Sequence, residues 1–174
     1  MKNGNNMTTK LTSLSDAIRQ YVHDGDLVYA SGFTHLIPFA AGHEIIRQGI
    51  KDLVLARATP DLLYDQMVAA GCARKVIFSY IGNPGVGSLR RIRQALESGE
   101  LEWEEYSHFS MISCLQAGAS GLPFMPMKQT GATDLESQNP KFKRVADPYT
   151  GEEVVVVPPL DRKSTRLNSS HRIR

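Results

Sequence analysis

Apolar and polar positions along the chain switch repeatedly between the period of a helix and the unbroken apolar run of a buried strand. Ser13, with Asp16 three residues on and Ala17, Ile18, Tyr21 and Val22 along one helical face, predicts a capped first helix. Gly25 supplies its left-handed stop, and Leu27 to Ala30 reads as a short strand leading into the small-residue turn Ser31-Gly32. Pro38 suits the first turn of a helix reaching Gln48, Gly49 ends it, and Asp52 to Ala56 is the next buried strand. A helix over Asp61 to Ala70 and a strand over Lys75 to Tyr80 follow. The Gly/Pro-rich loop Ile81 to Gly87 then leads to a helix over Ser88 to Ser98. Short connections between such elements imply right-handed βαβ units. The expected fold class is therefore α/β, an open and mostly parallel sheet with ligand loops at the carboxyl ends of its strands.

Regularity weakens beyond residue 100. Leu101 to Tyr106 fits an edge strand, and Ser107 to Ala119 fits a helix carrying Phe109, Ile112, Cys114, Leu115 and Ala117. Gly121 to Pro126 is expected to turn. Thr130 to Pro140 is polar, and its length marks a functional or flexible insertion. The apolar run Val154 to Leu160 looks like the start of a further strand.

Composition changes this picture in three places. A 174-residue chain with 41% hydrophobic residues fits one domain with a sizeable core. Cys72 and Cys114 lack metal-ligand spacing and a secretory context, so they read as reduced thiols of a cytoplasmic protein. No apolar run approaches the length of a membrane span, so no membrane association is expected.

Residues 161–174 begin Asp-Arg-Lys-Ser-Thr-Arg-Leu-Asn-Ser-Ser-His, which reads as one translated frame of a common sequencing-library adapter. They are taken as a non-native tail, against the alternative of a basic disordered extension. The tail carries a net +4 of a chain whose total is +2, so the remainder carries −2. A basic footprint has to lie on a folded surface to steer phosphate, so no nucleic-acid partner is expected.

The segment Asp24-Gly25-Asp26-Leu27-Val28-Tyr29-Ala30-Ser31-Gly32-Phe33, followed by Pro38, resembles the amino-terminal signature of the A (alpha) subunits of family I coenzyme A transferases. There a Gly-Gly-Phe step ends the strand; here Ser31 stands at the first glycine. The likeness continues through Arg47-Gln48-Gly49-Ile50, Gly121-Leu122-Pro123-Phe124 and Asn139 to Pro158, and Ala17-Ile18 with Tyr21-Val22-His23 is similar to glutaconate-type A subunits. It implies a Rossmann-like sheet of the CoA-transferase type. Residues 1–10 would be a flexible start and 11–160 the N-terminal part of a truncated A-subunit domain.

The resemblance also implies an activity. The A subunit would work with a CoA-transferase B subunit, moving coenzyme A from an acyl-CoA to a carboxylic acid, and be inactive alone. A glutamate of the B subunit would attack the thioester, so this chain would contribute no catalytic residue. Coenzyme A is then a substrate, and no tightly bound cofactor or metal is expected. The alternatives are hydrolysis of cyclic acyl-CoA rings on the same fold, or a non-catalytic Rossmann-like binding module. The second is disfavoured because Gly-x-Gly-x-x-Gly does not follow Val28.

Candidate substrate-binding residues are Ser31, Gly32 and Phe33, Asn83 and Gly85, and Thr130 and Gly131. Gly32 and Gly85 would offer backbone N–H groups to a carboxylate or thioester oxygen. The competing reading is that all three are tight turns. Ser31 lacks the Gly-x-Ser-x-Gly context of a nucleophile, and His35 and His43 lack partners for a metal set. Glu102, Glu104, Glu105 and Asp52 read as surface charges, and Arg90, Arg91 and Arg93 as a solvated face that could meet coenzyme A phosphates.

Overall fold

The computed structural model describes residues 11–32, 36–83, 85, 87–128 and 134–160. Helix α1 (Leu14–Tyr21) starts at Ser13, whose Oγ accepts from the Asp16 N–H at 3.1 Å. Strands β1 (Leu27–Tyr29), β2 (Leu53–Ala56), β3 (Ala73–Phe78) and β4 (Glu102–Glu105) lie in that spatial order and all run parallel. Helices α2 (Phe39–Gln48), α3 (Leu62–Ala69) and α4 (Arg90–Glu97) make the crossovers. Right-handed crossovers that always step the same way put all three helices on one face of the sheet.

Strand periodicity divides the core accordingly. Leu53, Leu55, Val76 and Phe78 face the helices, packing with Ile18, Ile45, Leu63, Met67 and Ile92. Val54, Ala56 and Ile77 face the opposite way, onto Tyr106, Met111 and Cys114. Every residue of β2 is buried, which is why the sequence shows it as a continuous apolar run rather than an alternation. Gly42 lets α2 approach α3: a Cβ there would lie 2.4 Å from Leu63 Cδ1.

The second face is closed by α5 (His108–Ser120), which ends at Gly121 with φ 67°, and by a separate antiparallel sheet. In that sheet β7 (Glu153–Val157) runs between β5 (Met125–Met127) and β6 (Lys143–Ala146). The apolar run at Val154 is thus a strand, though not one of the parallel sheet. The turn expected over Gly121 to Pro126 closes early, since Met125 and Pro126 already pair with Val157 and Val156. Within the expected loop Thr130 to Pro140, a short helix α6 (Leu135–Gln138) forms. Among the described residues β4 pairs with β3 alone, as expected of an edge. No described helix is long and apolar enough to cross a membrane.

Candidate functional site

The carboxyl ends of β1 and β2 are tied together by polar side chains from the end of β2 and the first turn of α3. After β1, the Ala30 N–H donates to Tyr64 Oη at 2.9 Å, and the same hydroxyl lies 2.9 Å from the Ala56 carbonyl and 3.2 Å from that of Val28. Tyr64 is fully buried, and burial pushes its phenol well above the ordinary tyrosine range. Two residues on from Ala30, Gly32 adopts φ 118°, a conformation costly for a side chain, and its carbonyl accepts from Arg57 Nη2.

Arg57 follows the apolar run of β2 and is only 2% exposed. Its guanidinium faces Asp61 at the start of α3, with Nη2 to Oδ2 at 3.2 Å and Nη1 to Oδ1 at 3.4 Å. Its Nε finds no acceptor among the described residues. Beside this pair, Thr59 Oγ1 lies 3.0 Å from His108 Nε2 at the first turn of α5. Tyr29, Ser31, Gly32, Arg57, Thr59 and His108 together line a cavity of about 400 Å³. Burial raises the Tyr29 phenol too, with the Arg57 charge opposing the shift. The cavity therefore combines backbone, hydroxyl and imidazole groups over a buried cation. Such a wall suits a carboxylate or thioester oxygen.

Of the residues expected from sequence, Ser31 and Gly32 belong to this cavity. Asn83 and Gly85 do not line it. They form a closed turn in which Asn83 Oδ1 accepts the Gly85 N–H at 2.8 Å, so the amide expected to face a ligand already has an acceptor. Phe33, Thr130, Gly131 and His35 lie outside the described residues. Arg57, Asp61, Thr59, Tyr64 and His108 were not singled out from the sequence. The available signal was an arginine closing a wholly apolar strand, followed by Thr-Pro-Asp.

Glu104 is not a surface charge: it is largely buried, pairs with Lys75 at 2.5 Å and accepts from Tyr106 Oη at 3.1 Å. Arg91 pairs with Glu100, while Arg90 and Arg93 are exposed. His43 is exposed and lies 2.8 Å from Gln66 Oε1. Among the described residues no group of His, Cys, Asp and Glu is arranged to hold a metal. Both cysteines are buried, and burial, aided by the Glu104 charge, pushes the Cys114 thiol up to about 12.

A second, larger concavity of about 950 Å³ runs along the outer edge of β1, between α1 and α2 on one side and α5 on the other. Its walls are mainly apolar, including Leu14, Ile45, Ile112 and Leu115.

The coenzyme A transferase family profile matches residues 11–166. The chain is 53% identical over 152 residues to the A subunit of 3-oxoadipate CoA-transferase from Pseudomonas knackmussii, covering 86% of this chain and 54% of that protein. It is 36% identical over 168 residues to the A subunit of glutaconate CoA-transferase from Acidaminococcus fermentans, covering 86% of this chain and 52% of that one. The solved structure of the glutaconate enzyme superposes with a TM-score of 0.79 over 87% of this chain and 54% of the matched chain. A variant of the decarboxylase AibA/AibB superposes with a TM-score of 0.77 at 30% identity, over 86% of this chain and 58% of that chain. The chain spans about half the length of these relatives.

Proposed function

Because the chain belongs to the coenzyme A transferase family, we propose that it is the amino-terminal half of the A component of a two-component enzyme, moving coenzyme A from an acyl-CoA to a carboxylic acid in complex with a B subunit. The carrying observation is that Ser31 and Gly32, the residues of the family-like signature, line a cavity with Thr59 and His108 at the carboxyl ends of parallel strands. The substrate class we favour is a short dicarboxylic acid. The 53% and 36% identical relatives are named for 3-oxoadipate and glutaconate, and the cavity offers Thr59 and His108 as additional polar contacts.

The reaction we assign has its nucleophile on the partner. There, a glutamate carboxylate attacks the thioester carbonyl, the coenzyme A thiolate leaves, and an acyl-glutamyl anhydride forms. The thiolate then attacks the glutamyl carbonyl and the acyl carboxylate departs, leaving a glutamyl thioester. The acceptor acid reverses both steps. This chain contributes oriented donors that stabilise the oxyanion, not the attacking group. Coenzyme A serves as substrate, and no resident cofactor takes part.

The test uses the full-length protein purified with its B subunit, incubated with succinyl-CoA and 3-oxoadipate. Formation of the new thioester, with the coenzyme A mass adduct on the partner, supports the reading. An adduct on this chain would refute the assignment of roles. Opening of a cyclic acyl-CoA by water, with the thioester intact and no acceptor acid required, would mark the ring-hydrolase alternative. Release of carbon dioxide faster than from 3-oxoadipate without the enzyme would mark decarboxylation, the second reading that the likeness to AibA/AibB brings in.

The apolar groove along β1 bears on the domain boundary. We read residues 11–160 as part of a larger domain, with the remainder of the full-length protein covering this groove beside the outer edge of β1. Exposed Leu14 and Ile112 would then be buried. Strong binding of a hydrophobic dye by this chain, with weak binding by the full-length protein, is the expected result. Equal binding by both would overturn it.

A further inference from the structure

We propose that Arg57, with Asp61 as its counter-ion, is a positioning residue that fixes the orientation of the Ser31-Gly32 segment. The proposal rests on the transferase reading above. Two hydrogen bonds bracket Ser31: Tyr64 Oη holds the Ala30 N–H on one side, and Arg57 Nη2 holds the Gly32 carbonyl on the other. Both side chains lie on the same short stretch, the end of β2 and the first turn of α3. The segment that lines the cavity is thus pinned at both ends by a neighbouring element and cannot reorient as a free loop would.

Physical chemistry argues that this arginine serves direction more than stability. A buried ion pair is often replaced by apolar residues with no loss of stability, whereas removing one partner alone leaves a costly unpaired charge. Here the guanidinium is 2% exposed at the end of a strand whose four residues are all apolar and buried, where an aliphatic side chain would pack. Its Nε is without an acceptor among the described residues, and Asp61 makes no side-chain hydrogen bond to cap α3. The interaction that an aliphatic residue could not supply is the bond to the Gly32 carbonyl. Gly32 needs that constraint, because φ 118° is open to glycine and glycine is the residue least able to hold one conformation by itself. Preorganised donors act on the transition state, so the consequence is expected in kcat rather than in binding.

The experiment compares Arg57→Met with the double variant Arg57→Met/Asp61→Leu, both in the full-length protein with its B subunit. Arg57→Met leaves Asp61 unpaired and should melt lower than wild type. The double variant should melt within a few degrees of wild type while kcat stays down about 100-fold, the scale of one lost oxyanion donor. KM for the acyl-CoA should change less than about threefold. Recovery of kcat together with the melting temperature would show a purely structural pair and overturn the proposal. Backbone hydrogen exchange at Ala30, whose N–H is held by Tyr64 Oη at the start of this segment, gives an arm independent of catalysis, and it should accelerate in both variants. If wild type proves inactive as a transferase yet exchange accelerates, the functional reading falls and the positioning role stands. Unchanged exchange in the double variant would overturn the positioning role whatever the activity.

Discussion

Replacing Tyr64 by Phe removes one oxygen from the hub joining β1, β2 and α3. The ring stays, no side-chain cavity opens, and water has no access because the residue is 0% exposed. The Ala30 N–H loses its acceptor at 2.9 Å, and the Ala56 carbonyl loses a donor at the same distance. A buried amide left unsatisfied costs about 1–3 kcal/mol, so a loss of about 2 kcal/mol is expected. At roughly 3 °C per kcal/mol for a protein of this size class, the melting temperature should fall by about 6 °C. Calorimetry and urea unfolding of the full-length protein measure both quantities, and the urea slope should not change.

The same substitution carries a pH signature. Burial holds the Tyr64 phenol above its unfolded value, so its contribution is complete below about pH 10 and is lost above it as the unfolded state ionises first. Wild type then loses about 1.4 kcal/mol per pH unit from this residue, and the Phe variant does not. The stability gap between them should narrow above about pH 10. A loss below about 0.5 kcal/mol at neutral pH, or a gap that widens in alkali, would refute the assignment of the hydroxyl as the hub.

Two further outcomes follow from the same geometry. Cys114, buried and pushed up to about 12, should resist a thiol reagent at pH 8 until the protein unfolds. Its raised value also predicts stability lost as pH rises above about 9; rapid native-state labelling would contradict its burial. Replacing His108 by Ala removes the partner of Thr59 from the cavity wall. It should raise KM for a dicarboxylic acceptor about tenfold, the scale of roughly one hydrogen bond, while the melting temperature moves by less than about 2 °C because His108 is exposed; an unchanged KM would remove it from the site.

The amino-acid sequence determined the elements whose causes are local. Ser13 caps α1 through an amide three residues away, and Gly49 and Gly121 end helices in the left-handed conformation that glycine permits. The buried run at Leu53 announces a parallel strand because both its faces are covered. From such elements and their short connections, the open parallel sheet was legible, as was the place of Ser31 and Gly32 at the carboxyl ends of its strands.

Tertiary structure decided what depends on residues far apart in the chain. Strand β6, Lys-Arg-Val-Ala, is exposed throughout and has no periodic signature; its pairing with β7 makes it a strand. Arg57 meets Gly32 across 25 positions, Tyr64 meets Ala30 across 34, and His108 meets Thr59 across 49. Each of these side chains reads, in its own neighbourhood, as an ordinary loop, helix or cap residue. A charge or hydroxyl acquires a role only when the fold supplies both its burial and its partner, and neither is a property of the local sequence.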